Sequence, residues 1–118
     1  MSEKIFINFS NHPSEQWGQK QRIASEKYGT IEDIPFPMVS AQASRGEVKA
    51  LAHDYYEKIM VKHPMAVMCQ GEFTLCFRVV KLLKQAGIPV LAACSERRVT
   101  EKDGKKIVEF EFQQYREY

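Results

Sequence analysis

Apolar residues occur along this chain in two patterns, short continuous runs and stripes with helical spacing. Residues 65–69 and 88–94 are continuous apolar runs, and residues 4–9 form a third run that is rich in aromatic side chains. Strands that are buried on both faces have this composition, and such strands belong to parallel sheets. Residues 30–36 are predicted as a further short strand, at an edge of the sheet, because Pro35 and the following Pro37 cannot donate to a ladder.

Helical spacing predicts three helices between these runs, over about residues 14–28, 44–62 and 72–86. Pro13 or Ser14 can open the first helix. Ser44 is a plausible N-cap of the second, because Glu47 follows at the capping-box distance. The core-facing stripe of this second helix is Val48, Leu51, Ala52, Tyr55 and Ile59. The third helix is apolar over much of its circumference, so we expect it to be largely buried, partly against another subunit.

The last part of the chain predicts a hairpin. Asp103-Gly104 lies between two strand-like runs and is a strong turn signal. After this turn, Val108, Phe110 and Phe112 alternate with polar residues, which predicts a half-buried antiparallel strand. The strand before the turn is expected to continue from the last apolar run through Ser95–Val99.

The predicted order of elements is therefore β-α-β-α-β-α-β-β. This order predicts one α/β domain over residues 1–118, a Rossmann-like three-layer sandwich with a mainly parallel sheet and a C-terminal antiparallel hairpin strand.

Composition narrows the classes of function. The formal net charge of +2 is too small to favour bulk nucleic acid as a partner. No apolar run is long enough to span a membrane, and the first residues lack a signal-peptide layout, so we expect a cytoplasmic protein without a membrane partner. The three cysteines, Cys69, Cys76 and Cys94, are interpreted as buried thiols in a reducing compartment. No spacing of potential ligands predicts a metal, and no cofactor is expected.

Three polar loops follow the apolar strands: residues 10–14, 70–74 and 95–98. In open parallel sheets, ligands bind beyond the carboxyl ends of the strands, where the strand order reverses. Two of these loops lead into helix amino termini, whose free N–H groups attract anions. Gly71 is expected to let a phosphate or ribose approach the backbone. Neither GxGxxG nor GxxxxGK[ST] is present, so standard dinucleotide and P-loop binding are not indicated.

Most polar residues of these loops allow two interpretations. His12 is either a general acid or base that also contacts phosphate, or a helix cap that contacts only backbone. Glu72 either complements the helix dipole or holds a ribose hydroxyl. Arg97 and Arg98 are expected on opposite faces of the strand, so one faces the ligand while the other is solvated. Gln21 is either a satisfied core amide or a ligand group. The candidate ligand-binding residues are Ser10, Asn11, Ser14, Gln70, Gly71, Thr74, Ser95 and Glu96.

Three short sequence segments resemble those of a known family: Asn8-Phe9-Ser10-Asn11-His12-Pro13-Ser14, Gln70-Gly71-Glu72 and Ser95-Glu96-Arg97. They resemble the small standalone CRISPR-associated proteins of Rossmann-like (CARF-like) fold. Those proteins bind, and in some cases cleave, the cyclic oligoadenylate second messengers of type III CRISPR defence. The resemblance covers the layout of most of the chain.

The resemblance implies a protein that binds a cyclic oligoadenylate, with tetra-adenylate as the expected ring, at the cleft of a homodimer. It further implies metal-independent ring cleavage, in which the ribose 2′-hydroxyl attacks its own phosphate. His12, Glu72 and Arg97 are the residue types that such a ring nuclease would use as catalytic residues. Two alternatives stay open: a module that sequesters or senses the nucleotide without cutting it, and an unrelated small protein that binds a nucleotide or sugar phosphate.

Overall fold

The computed structural model describes residues 3–118, which fold as an α/β domain with one five-stranded sheet. The elements in chain order are β1 (Ile5–Ser10), a 3-10 helix (Ser14–Gln16), α1 (Gln19–Glu26), β2 (Thr30–Pro35), α2 (Arg45–Met60), β3 (Ala66–Cys69), α3 (Phe73–Gln85), β4 (Val90–Lys102) and β5 (Lys105–Glu117). The predicted fold class is confirmed, including the antiparallel strand pair at the end. No helix within residues 3–118 has the length and apolarity needed to cross a membrane.

The strand order is β2-β1-β3-β4-β5. All neighbouring strands are parallel except β4 and β5, which are antiparallel. The proline-containing strand β2 lies at an edge, as predicted. Chain order reverses between β1 and β3, because β2 is added on one side of β1 and the later strands on the other. In doubly wound sheets, a ligand crevice opens at this reversal, beyond the carboxyl ends of the strands.

The sheet separates two apolar cores. One face packs on α1, in a small core of Phe6, Trp17, Ala66, Met68 and Leu91. The other face packs on α2 and α3 in a larger core, which includes Ile7, Phe9, Val67, Val79 and Leu83. Helix α2 begins with the predicted capping box, in which Ser44 Oγ accepts from Glu47 N and Glu47 Oε1 accepts from Ser44 N. Its predicted stripe faces the larger core, as expected from the spacing.

The hairpin forms at the predicted turn but is longer than predicted. Asp103 and Gly104 both have positive φ, 55° and 75°, as a type I′ turn requires. Strands β4 and β5 each contain 13 residues, and their outer half extends past the other strands as a two-stranded arm. Phe112 is buried, whereas Phe110 is 70% exposed. The prediction of a half-buried strand is therefore wrong for the arm, because no layer covers it there.

The first helix is not continuous from Ser14, as the sequence predicted. Trp17 adopts an extended conformation, with φ −74° and ψ 146°, and Gly18 is the N-cap of α1. The break has a tertiary cause: the Trp17 indole turns into the small core and donates to the main-chain oxygen of His12 at 3.2 Å.

Helix α3 is buried on one face only, so the prediction of a largely buried helix is wrong. Phe73 is 90% exposed and Phe77 is also exposed, although both line a surface groove beside Arg45 and Val48 at the start of α2.

Candidate functional site

A cleft of about 890 Å³ lies on the α1 side of the sheet, beyond the carboxyl ends of β1 and β3. Its volume is within the range of roughly 300–1,000 Å³ that is usual for ligand pockets. The cleft is bounded by the loop after β1, the start of α1, the loop after β3 and the arm. Six of the predicted site residues line it: Ser10, Asn11, His12, Gln70, Gly71 and Ser95. The cleft thus lies at the reversal of strand order, where the loops were predicted to meet.

The loop after β1 is held rigidly through its backbone. The main-chain oxygen of His12 accepts from Asn8 Nδ2 at 2.9 Å and from Trp17 Nε1 at 3.2 Å. The His12 amide donates to Ser10 Oγ at 3.1 Å. The imidazole itself is exposed at the cleft. The N-cap of the 3-10 helix is Pro13, so the prediction of a capping role for His12 is wrong.

Ser14 is part of this scaffold and does not line the cleft. Its amide donates to Asp33 Oδ2 at 2.9 Å, and its main-chain oxygen accepts from Arg22 Nη1 at 2.6 Å. Ser14 is the first residue of the 3-10 helix and not a cap. Backbone contacts therefore account for its position, and its assignment as a ligand residue stays a prediction.

Sequence reasoning missed Asn8 and Asp33, which organise the loop. Asn8 is 1% exposed, accepts from Ser10 Oγ at 2.6 Å and donates to Asp33 Oδ1 at 3.2 Å. The two residues are direct neighbours in the β1–β2 register. A signal was present, because Asn8 is a strongly polar residue with apolar neighbours on both sides in the run of residues 4–9. Burial of an amide requires such partners.

The loop after β3 contributes an amide and a glycine. Gln70 Oε1 accepts from Ala93 N at 2.8 Å, which continues the β3–β4 contact beyond the last paired residues. A Cβ on Gly71 would lie 2.6 Å from atoms of the Phe36 ring. The structure thus gives a second reason for a glycine at this position, and the approach of a phosphate or ribose to the Gly71 backbone stays a prediction. The close approach of a buried aromatic ring already excludes a side chain, although the Gly71 backbone does line the cleft.

Glu72 and Thr74 cap α3 and lie outside the lining of the cleft. Glu72 accepts from Thr74 N at 2.8 Å, from Leu75 N at 3.0 Å and from Thr74 Oγ1. The hydrogen bond from the Thr74 hydroxyl, with those from the two amides, holds the pKa of Glu72 below its usual value. Of the two interpretations of Glu72, these contacts support the one in which its charge complements the dipole at the amino terminus of α3, where Glu72 is the N-cap residue. An ionised carboxylate with occupied oxygens is a poor proton donor, so no contact supports its catalytic assignment.

The arm forms the outer wall of the cleft. Phe110, Phe112, Glu109 and Glu111 line this wall, and the sequence analysis did not include them in the site. They were missed because they lie about a dozen residues further along the sequence than the nearest predicted loop.

The two arginines of β4 differ in their surroundings. Arg98 pairs with Glu111 at 2.9 Å, whereas Arg97 lies opposite Phe110 in the register. The two side chains are therefore on opposite faces, as predicted. Glu96 is 3.7 Å from Arg98, on the face away from Phe110, and neither Glu96 nor Arg97 is part of the lining.

The start of α1 completes the site, and of its residues the sequence analysis had considered only Gln21. Gly18, Gln19, Lys20 and Gln21 line the cleft. Gly18 supplies no side chain to cap the helix, so the amides of the first turn face the cleft end of α1 without a side-chain acceptor among the described residues. Gln21 donates to Tyr115 OH at 3.2 Å, which makes it a satisfied core amide at the edge of the cleft.

Comparison with known proteins places this architecture in a family. The sequence model described as the Uncharacterized protein MJ1673 family matches residues 4–116. The chain belongs to this family. The match covers every strand of the sheet from β1 to nearly the end of β5, so the cleft of this MJ1673-family chain lies entirely within the matched region. No curated protein matches the chain.

The cleft of this MJ1673-family protein combines three kinds of groups. The first turn of α1, Lys20 and the His12 imidazole can interact with an anion. The exposed Phe110 ring offers a stacking surface. The exposed amide of Asn11 can hydrogen-bond to hydroxyl groups, whereas the side chains of Glu109 and Glu111 lie on the face of the arm that carries Arg98, away from Phe110. Within residues 3–118, no group of three or more His, Cys, Asp and Glu is placed to hold a metal ion.

Proposed function

We propose that the cleft binds a cyclic oligoadenylate, with cyclic tetra-adenylate as the expected ligand. One observation carries the proposal: the cleft lies at the reversal of strand order and is lined by the first turn of α1 together with His12 and Lys20. Helix amino termini at such positions bind phosphate through amide groups and the helix dipole. The resemblance of the loops after β1 and β3, and of residues 95–97 within β4, to the corresponding segments of CARF-like proteins suggests the class of nucleotide.

The cleft has a complementary group for each part of a nucleotide. Phosphates lie at the α1 end, near Lys20 and His12, and away from the carboxylates of the arm. An adenine ring stacks on Phe110, because every base has a π-face and aromatic stacking of this kind tolerates any sequence. Ribose hydroxyls hydrogen-bond to the exposed amide of Asn11, which lines the cleft in the loop after β1. This arrangement binds a small nucleotide and not bulk nucleic acid, since the net charge is only +2.

The proposed assembly is a homodimer in the cytoplasm. A cyclic tetranucleotide is roughly two-fold symmetric, and a two-fold dimer presents two identical clefts to it. The exposed Phe73 and Phe77 on α3 and the uncovered arm are apolar surfaces that a partner subunit can cover. Light scattering at micromolar concentration gives the mass of a dimer if this assembly forms, and a monomer mass contradicts it.

Ring cleavage is the enzymatic form of the proposal and needs no metal or cofactor. The ribose 2′-oxygen forms a bond to the adjacent phosphorus, and the bond from phosphorus to the 5′-oxygen breaks. The 2′-hydroxyl proton leaves to a base and a proton is delivered to the 5′-oxygen, so the products are a 2′,3′-cyclic phosphate and a 5′-hydroxyl. Among the described residues, His12 is the one histidine that lines the cleft, and it is the proposed proton-transfer group. Arg97, opposite Phe110, is the proposed source of positive charge.

Binding without cleavage is the second candidate. It is favoured by Glu72, whose carboxylate is engaged as the cap of α3 and is not free to hold a reacting hydroxyl. In this form the protein sequesters or senses the nucleotide, and the contacts with phosphate and base are the same.

Incubation of the chain with cyclic tetra-adenylate separates the candidates. Calorimetry measures binding, and chromatography of the mixture, in excess chelator, measures linear products. Linear products support the enzyme, and intact bound ligand supports the binding module. If neither the cyclic nor the linear tetra-adenylate binds, the proposal is wrong and a different nucleotide or sugar phosphate is the ligand.

His12→Ala tests the role of the imidazole. We expect affinity to fall about tenfold or more through the loss of a contact with phosphate, and turnover to fall by about 10²–10⁴ if the group also transfers a proton. The melting temperature should hardly change, because the main chain of His12 makes the structural contacts. His53→Ala is the matched control, since His53 is exposed on α2 on the other side of the sheet. Unchanged binding and cleavage in His12→Ala remove His12 from the site.

A further inference from the structure

Two cysteines meet beneath the loop that follows β3. Cys69 is the last residue of β3 and is 0% exposed, and Cys76 lies in the first turns of α3 and is 8% exposed. Their Sγ atoms are 3.5 Å apart. Cys94 is separate from this pair, on β4, where its Sγ lies 3.9 Å from the main-chain oxygen of Ala92. The sequence spacing of the two cysteines gave no reason to pair them, and the contact arises from the turn between strand and helix.

Tyr118 covers the thiol pair. Its hydroxyl donates to the main-chain oxygen of Cys69 at 2.6 Å and lies 3.8 Å from Cys76 Sγ. Lys84 Nζ donates to the main-chain oxygen of Tyr118 at 2.6 Å, which holds this residue in place. Because Tyr118 is itself 44% exposed, a movement of one side chain uncovers Cys76.

The two thiols have different acidities. The hydrogen bond from Cys69 lowers the pKa of Cys76 to about 7, with further contributions from Tyr118 and the Gly71 amide, against the effect of burial. The same hydrogen bond and burial raise the pKa of Cys69. Cys76 is thus the nucleophile of the pair and Cys69 is the protonated partner.

We propose that Cys69 and Cys76 form a reversible disulfide when the protein encounters a peroxide. The Cys76 thiolate attacks one peroxide oxygen, so that a sulfur–oxygen bond forms, the oxygen–oxygen bond breaks, and the released hydroxide takes a proton and leaves as water. Cys69 Sγ then attacks the oxidised Cys76 sulfur; the sulfur–sulfur bond forms, the sulfur–oxygen bond breaks, and the second oxygen leaves as water with the Cys69 proton. Two thiols are oxidised and one hydrogen peroxide is reduced to two waters.

Disulfide formation changes the loop that lines the cleft. A disulfide bond is about 2.05 Å long, so the sulfurs must approach by roughly 1.5 Å. The segment between them begins with Gln70 and Gly71, which line the cleft. The contact of Gly71 with the Phe36 ring leaves little room on one side, so the adjustment falls on the side of the cleft. This modification site is independent of which ligand the cleft takes.

The sequence provides a direct assay. Trypsin cleavage after Lys62 and Arg78 releases residues 63–78, which contain both cysteines, and cleavage after Lys84 and Arg97 releases residues 85–97, which contain only Cys94. The folded, reduced chain is treated with hydrogen peroxide at neutral pH, and its remaining free thiols are then alkylated under denaturing conditions. After digestion with trypsin, the masses of the peptides are measured by mass spectrometry. We expect peptide 63–78 to lose two hydrogens and carry no alkyl group, and a reducing agent before blocking to restore two alkyl groups. Peptide 85–97 should be alkylated throughout.

Two variants sharpen the result. Cys94→Ser should form the same disulfide, since Cys94 is outside the pair. Tyr118→Phe keeps the ring that covers the pair but removes the hydroxyl that helps to lower the pKa of Cys76, so we expect it to oxidise more slowly at neutral pH. Retention of both alkyl groups on peptide 63–78, a sulfinic acid at Cys76 without a disulfide, or disulfides that join only two chains through Cys94 would each overturn the proposal.

Discussion

Replacement of Asn8 by alanine removes a side chain that joins three segments. Asn8 Nδ2 donates to the His12 main-chain oxygen at 2.9 Å and to Asp33 Oδ1 at 3.2 Å, and Asn8 Oδ1 accepts from Ser10 Oγ at 2.6 Å. β1, the loop after it and β2 are thereby tied together directly below the cleft. The variant removes all three bonds while leaving the apolar core on the other face of the sheet intact.

The contacts of Asn8 set the size of the effect. Three hydrogen bonds at about 0.5–1.5 kcal/mol each give a loss of about 1.5–4.5 kcal/mol. The upper end would require partners left without a bond, but the His12 oxygen keeps the Trp17 indole and Asp33 keeps the Ser14 amide. We therefore expect a loss of about 2–3 kcal/mol. Because small domains are stable by only about 5–15 kcal/mol, this is a large fraction of the total.

Urea unfolding followed by tryptophan fluorescence measures this loss. Trp17 is the single tryptophan, and its indole bonds to the same His12 oxygen as Asn8. The midpoint should fall with little change in the slope. Asn11→Ala is the matched control, because Asn11 is an exposed asparagine of the same loop, and its loss should stay within about 0.5 kcal/mol. A loss in Asn8→Ala no larger than in this control would refute the view that Asn8 organises the loop.

Two further predictions concern the loop after β3. Gly71→Ala should lower stability by about 1–3 kcal/mol in urea unfolding, because the new methyl group meets the Phe36 ring. Gly46→Ala is the control in α2 and should not destabilise, because its methyl group would meet only Ser44 Oγ, at the ordinary contact distance of 3.9 Å. Equal results for the two variants would show that the Phe36 ring moves aside. Glu72 has a lowered pKa in the folded state, so its contribution is present above the usual glutamate pKa and is lost as pH falls through the lowered value. Unfolding at a series of pH values should show a shallower acid loss in Glu72→Gln than in the unchanged chain, and identical pH dependence would contradict the capping role.

Much of the fold could be predicted from the sequence because local sequence signals and the tertiary structure agree. The runs 65–69 and 88–94 are apolar on both faces because β3 and the start of β4 are covered by helices on both sides. The second helix begins at Ser44 because its cap is completed by Glu47, within one turn. The hairpin turn needs two positive φ values, and Asp103-Gly104 can adopt them.

Errors occurred where distant residues decide the local conformation. The break at Trp17 depends on a bond to His12 and on the space between α1 and the sheet, neither of which the helical spacing reveals. Phe73 and Phe77 are apolar but exposed, so apolar content overstated the burial of α3. Val108 and Phe110 alternate like a half-buried strand, yet the arm extends beyond the layer that would bury them.

The candidate site, like the fold, was predicted only in part. The rule that ligands bind beyond the carboxyl ends of parallel strands located Ser10, His12 and Gln70 correctly on the cleft. That rule concerns only loops, so it could not reveal Lys20 at the displaced start of α1 or Phe110 on the arm.

In the loop after β1, the main chain and the side chain of His12 have different roles, and this difference affects how the cleft can bind a ligand. The main chain at His12 is fixed by Asn8, Trp17 and Ser10, whereas the imidazole makes no hydrogen bond with any of the described residues. A side chain used for packing would show the opposite arrangement, with its ring engaged. A fixed backbone with a free ring reduces the entropy lost when the ring binds a ligand, because only the side-chain torsions remain to be ordered. The buried side-chain amide of Asn8 therefore has two effects. It stabilises the fold, and by holding the main chain of His12 it also presents the imidazole to the cleft.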